Sequence, residues 1–192
     1  MLKRLTRYLA PLAVAVTLAL GAGVVAHPGH AAYALGPGHV CVFLAPNGAF
    51  GLGHVGWAYQ VAGTPTYVFG STEGRGAAAH IPAGQPNGYW SATGTYSAML
   101  ATFRVKNGGY YTEYKCESTG GSAVGAANAA AAATARAGYD VIGNNCVDHT
   151  IRILGAYGAP ALTPAWQYPA PFEWFNELRS SGPGGWSVVQ YL

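Results

Sequence analysis

The 192 residues are half apolar (51%) and only 9% charged, which excludes a disordered chain and leaves room for one domain with a real core, hardly two. With 28 glycines, 12 prolines and 13 tyrosines, the composition points to a loop-rich, strand-rich fold more than to a helical bundle. The formal charge of +3 comes from the first few residues: without Lys3, Arg4 and Arg7, seven basic residues face seven acidic ones, and no basic footprint for nucleic acid remains.

The basic start and the apolar run Leu9 to Ala26, interrupted by Pro11 and Thr17, form a secretory signal pattern. Cleavage is expected after Ala26 or after Ala34, giving a signal of residues 1–26 or 1–34 and one domain over residues 38–192. A retained anchor is the alternative, because a run of this length nearly spans a bilayer. Export implies a secreted or cell-envelope protein, in a compartment that permits disulfides. His27, His30 and His39 lie in or near the removed segment and carry no assigned role.

Along the mature chain, Val40 to Leu44 reads as a first strand, followed by a loop through Asn47-Gly48 and Gly51-Leu52-Gly53. His54 to Val61 and Thr66 to Glu73 read as two strands joined by the turn Ala62-Gly63-Thr64-Pro65. A turn symmetric about Gly63 and Thr64 sets His54 opposite Glu73 and Gly56 opposite Ser71, on one face. Gly56 and Ala58 share that face and leave room for a helix to approach it. Residues 74–95 read as a surface loop with His80 exposed, Ala98 to Lys106 as a strand, and Tyr110 to Cys116 as its return. Tyr110, Tyr111 and Tyr114 either line a groove or pack in the ordinary way. Ser122 to Ala137 is an alanine-rich helix with Ser122 as its cap, and a second helix starts at Asn145 and ends near Gly155 or Gly158. The proline-rich tail carries Phe172, Trp174, Phe175 and Leu178 as a wrapping segment with a short helix, and Trp186 to Leu192 closes the sheet.

The chemistry sits in Gly143-Asn144-Asn145-Cys146-Val147-Asp148-His149. Two capping residues before Cys146 place its sulfur in the first helical turn, where unpaired N–H groups and the helix dipole favour a thiolate. A thiolate nucleophile needs a base. The best one is His54, with Glu73 or Ser71 fixing its tautomer. The backbone N–H of Cys146 and a side-chain amide from Asn144 or Asn145 are the candidate oxyanion donors. Three cysteines allow a Cys41–Cys116 disulfide that leaves Cys146 as the odd thiol; three reduced, buried cysteines are the alternative. Against the nucleophile stands a buried structural cysteine, and against the base a strand histidine satisfied by a carbonyl. His149, one turn after Cys146, is a poorer base because neighbours on one helix seldom aim at a common atom. Asp148 reads as a charge stabilising the helix start. No Cys-x2-Cys pair or His-Glu-x2-His run is present, so neither a metal nor a cofactor is expected.

Gly-His54-Val-Gly-Trp-Ala-Tyr on a strand, followed by Tyr139-x4-Asn144-Asn145-Cys146 at a helix start, resembles the circularly permuted papain-like enzymes of the NlpC/P60 superfamily. Among these are the lecithin:retinol acyltransferase-like proteins and the PPPDE peptidases, and Tyr67-Val68-Phe69-Gly70 is similar to a PPPDE element. The resemblance covers roughly residues 38 to 155 and implies Cys146 as nucleophile and His54 as base. No histidine stands at Phe69 to Ser71, and His149 is three places after Cys146 where the acyltransferase-like proteins have one two places after, so the resemblance leaves the third catalytic member open and is compatible with a two-residue dyad. The expected protein is an α+β papain-like domain, with a mainly antiparallel sheet and the Cys-bearing helix on one face. It is expected to act as a monomeric, secreted cysteine hydrolase of amide, peptide or ester bonds in extracellular peptide, cell-wall or acyl substrates. A thiol acyltransferase, or a non-catalytic papain-like module binding peptide or glycan, are the alternatives.

Overall fold

In the computed structural model, which describes residues 37–160, 162–179 and 185–192, the chain enters on its most apolar strand. This strand, β1 (Gly38–Ala45), carries Val-Cys-Val-Phe-Leu-Ala without alternation because helices or aromatic rings cover both of its faces. It pairs with β2 (His54–Gln60) on one side and β6 (Glu113–Thr119) on the other. β3 (Thr66–Glu73), β5 (Gly88–Thr95) and the short β8 (Gln190–Tyr191) complete a six-stranded sheet in the order β5-β3-β2-β1-β6-β8, with every described pairing antiparallel. A separate ribbon pairs β4 (His80–Ile81) with β7 (Tyr139–Asp140). The fold is therefore α+β, and the predicted signal segment lies outside the described residues.

The hairpin register follows the sequence: Gly56 faces Ser71 and Gln60 faces Tyr67. Cys41 and Cys116 are directly opposed on β1 and β6 and form a disulfide. Among the described residues, four α-helices flank the sheet: α1 (Tyr96–Val105), α2 (Val124–Thr134), α3 (Cys146–Tyr157) and α4 (Pro171–Glu177). Leu44, Val55, Trp57 and Tyr59 form one core layer with Ala127 and Ala131 of α2, Val147, Ile153 and Leu154 of α3, and Trp174 and Phe175 of α4. Phe43, Ala58 and Phe69 form the other, with Met99 and Phe103 of α1 and with Tyr111 and Tyr114.

Four local readings are corrected. Ala98 to Lys106 is helical: the Thr95 hydroxyl accepts the Ala98 N–H, and Met99 and Phe103, four apart, bury one stripe. The glycine-rich loop region 74–95 ends in a full strand, β5, whose Tyr89 to Thr95 pair along β3. α2 starts after Ala123 and not on a Ser122 cap, and no side chain caps it. The fourth concerns the Cys-bearing helix. α3 packs on the Val55–Trp57–Tyr59 face and not on the Gly56–Ala58 face. The space over Gly56 is taken by Phe103, whose ring would lie 2.6 Å from an added Cβ.

Candidate active site

Asn145 shapes the start of α3. Its Oδ1 accepts the Val147 N–H at 2.8 Å while Asp148 accepts the Asn145 N–H at 3.0 Å, a reciprocal capping box. Its side-chain amide donates to the carbonyls of Val141 and Pro169, and that of Asn144 to the carbonyls of Ala137 and Gly138. Each amide has two protons and two acceptors, so neither is left for an oxyanion. The two asparagines anchor loops in place of the role read from sequence. The Asn144 Oδ1 accepts from His149 Nε2 at 3.2 Å, which fixes that buried imidazole with its proton on Nε2 and an unpartnered Nδ1. Burial, then the Arg152 charge, lowers His149 to about 4.

The sheet opens beside this helix start. β1–β2 pairing continues to Ala45 and His54, and β3–β5 pairing to Glu73 and Gly88, yet β2–β3 pairing stops at Gly56 and Ser71. Val55 N–H, at the parting, interacts with the Cys146 sulfur, which also meets the Tyr139 hydroxyl and the N–H groups of Cys146 and Val147. These four contacts favour the thiolate. Burial outweighs them and pushes the 1% exposed thiol up to about 12. The resting sulfur is therefore a thiol, where the helix-start argument alone expects a thiolate. It is also the free cysteine that the Cys41–Cys116 bridge leaves over.

His54 begins β2, next to that Val55. Its ring is buried between Tyr110 and Tyr111, with centroids 5.9 Å away in both cases. Its Nε2 has no hydrogen-bond partner and lies 3.6 Å from Glu73 Oε2, across the parting. Burial lowers the imidazole to about 4 and raises Glu73, with Lys106 opposing the second shift. Of the two residues expected beside His54, Glu73 is the near one. Ser71 is buried farther along and meets Tyr111.

A cleft of about 560 Å³ opens over these groups, lined by His54, Glu73, Asn107, Tyr110, Tyr139 and Val141 among others. Cys146 does not line it. Tyr139 does, and its hydroxyl stands against the Cys146 thiol and backbone N–H. Sequence reasoning missed the position of Tyr139, although it heads the Tyr-x4-Asn-Asn-Cys motif. It also left Tyr110, Tyr111 and Tyr114 as one group: Tyr110 lines the cleft, while Tyr111 and Tyr114 belong to the core. Two consecutive residues on the rim, Ala49 and Phe50, have positive φ of 44° and 59°, a sparsely populated conformation that tends to gather at functional sites.

The group of His, Cys, Asp or Glu side chains close enough to share a metal, among the described residues, is His39 with Cys41 and Cys116, and the bridge occupies both of its sulfurs. Away from the cleft, exposed His80 pairs with Asp140 at 3.1 Å and joins β4 to β7. No protein-family model, no curated protein and no solved structure matches this chain.

Proposed function

We propose that this protein is a secreted thiol hydrolase of amide or peptide bonds, built on a permuted papain-like scaffold, with Cys146 as nucleophile and His54 as base. The observation that carries the reading is the parting of β2 from β3. At that parting the free thiol meets the Val55 N–H, and His54, the residue before Val55, keeps an unpartnered Nε2 and lines an open cleft. Buried histidines ordinarily find a partner, and one left without, facing a carboxylate, is poised for a proton.

Because both groups rest neutral, deprotonation accompanies attack. The sulfur bonds to the substrate carbonyl carbon as its proton passes to His54. His54 then returns that proton to the leaving amine as the C–N bond breaks, leaving a thioester. Water, giving a proton to His54, splits the thioester and restores the thiol. The Cys146 N–H and the Tyr139 hydroxyl, two of the four donors around the sulfur, would stabilise the developing oxyanion.

The thiol's burial favours one rival, a non-catalytic module that binds peptide in the same cleft. A panel of acyl, peptide and muropeptide activity probes separates the two. The hydrolase reading expects probe labelling at Cys146, with iodoacetamide-sensitive turnover lost in folded Cys146→Ala and His54→Ala. A folded protein that turns over none of these acyl, peptide or muropeptide substrates and takes no label from their probes at Cys146 is the outcome that rules for the binding module.

A further inference from the structure

A second cavity of about 200 Å³ adjoins the cleft, walled by Leu52, Val141, Ile142, Pro169 and Pro171 together with Asn145. We propose that it is a specificity pocket for one bulky apolar side chain of a peptide substrate, next to the bond that Cys146 attacks. The inference rests on the thiol-hydrolase reading and adds its substrate class.

Position is the first argument. Asn145 directly precedes Cys146 and caps its helix, so a group seated against it lies one residue from the nucleophile. Ala49, Leu52, Tyr139 and Val141 line both the cavity and the cleft, which makes the two continuous. Chemistry is the second. No charged side chain lines the cavity. The polar atoms of Asn145 are all committed, the amide to the carbonyls of Val141 and Pro169 and Oδ1 to the Val147 N–H. A polar group entering would lose water and gain no partner, whereas an apolar group gains burial. The cleft, also largely apolar, differs in carrying the polar groups of His54, Glu73 and Tyr110. A chain lying across Leu52 and Tyr139 thus sets its polar peptide bond toward His54 and an apolar side chain into the pocket. Size is the third, since the volume suits one branched or aromatic side chain and not a long acyl tail. Ile142, on its wall, is 80% exposed, as a surface awaiting a ligand would be.

The test separates binding from chemistry. Short peptides with Leu, Phe, Gly or Asp flanking a central amide are titrated calorimetrically into the Cys146→Ala protein. Their fluorogenic counterparts and a medium-chain acyl ester are turned over by the unsubstituted protein. Leu and Phe peptides are expected to bind roughly tenfold or more tighter than Gly and Asp peptides, with the same ranking carried by KM in turnover. Ile142→Asp is expected to collapse that ratio. Equal binding of all peptides, or a ratio unchanged in Ile142→Asp, overturns the pocket whatever the activity. An acyl ester favoured over every peptide overturns the substrate class. Selective binding without any turnover supports the pocket and overturns the hydrolase reading alone.

Discussion

At the residue scale, the proposed Cys146–His54 pair would differ from the usual thiolate–imidazolium picture, because burial acts on both groups. Burial holds the thiol near 12 and the imidazole near 4, so at neutral pH neither is charged. The base form of His54 persists as pH falls until about 4, and activity as kcat/KM is expected to keep an acid limb near that value, in place of one near 6.5. Alkylation of Cys146 by iodoacetamide is expected to keep accelerating through pH 10. A low-pH plateau with its midpoint below pH 8 would establish a preformed ion pair and end the neutral-pair account. Asn145 is the second residue whose role is measurable. It caps α3 and holds two loop carbonyls, so Asn145→Ala is expected to cost about 3 kcal/mol, about 1 for the cap and about 1 for each carbonyl left unpaired. Asn145→Asp keeps the cap acceptor and loses both donors, and in urea denaturation it should recover only about 1 kcal/mol of that loss.

At the element scale, β2 decides where everything else docks. Its even face is small, Gly56 and Ala58, and its odd face is large, Val55, Trp57 and Tyr59. Small residues invite close approach, but here what approaches is a single ring. Phe103 stacks on Phe43 at 3.7 Å between centroids and fills the space over Gly56, while α3 packs its apolar stripe against the large face. Gly56→Ala therefore drives a methyl into Phe103 and against the Gly70 carbonyl, and is expected to cost roughly 1–3 kcal/mol of stability in thermal or urea unfolding. An unchanged midpoint would mean that the ring moves freely. The β2–β3 register, the α3 start and the Cys41–Cys116 bridge were legible because each is set by a turn, a cap or a residue count. The side on which α3 packs was not legible, because it depends on Phe103, some fifty residues beyond Gly56 and in a segment that alternates well enough to read as a strand. His54 and Glu73 were expected face to face from the hairpin register, and their side chains stand 3.6 Å apart although the ladder itself ends at Gly56 and Ser71. The screening of the thiol by Tyr139 was not, since it needs β7 paired to β4, a contact between segments far apart in sequence.

At the scale of the whole molecule, acid and base act on opposite buried groups. His54 and His149 are held neutral, each lowered from 6.5 to about 4 by burial, so their contribution to stability is whole above 6.5 and fades as pH falls toward 4. Glu117 on β6 works the other way. It is 1% exposed, neither carboxyl oxygen has a hydrogen-bond partner, and burial raises it from 4.5 to about 7. The fold therefore prefers its protonated form: that contribution is whole below 4.5 and lost as pH rises through 7. With two histidines against one glutamate, stability is expected to climb modestly between pH 4 and 6.5 and then level, leaving an ionised, unpartnered carboxylate in the core above pH 7. Replacing that carboxylate by a neutral group of the same shape isolates its share. Glu117→Gln is expected to change stability little at pH 4.5 and to raise it at pH 8, with about 3 kcal/mol as the upper bound set by the shift. Urea unfolding at the two pH values reads the difference directly, and an equal effect at both, or a loss at pH 8, would mean that the ionised carboxylate has found a partner or water.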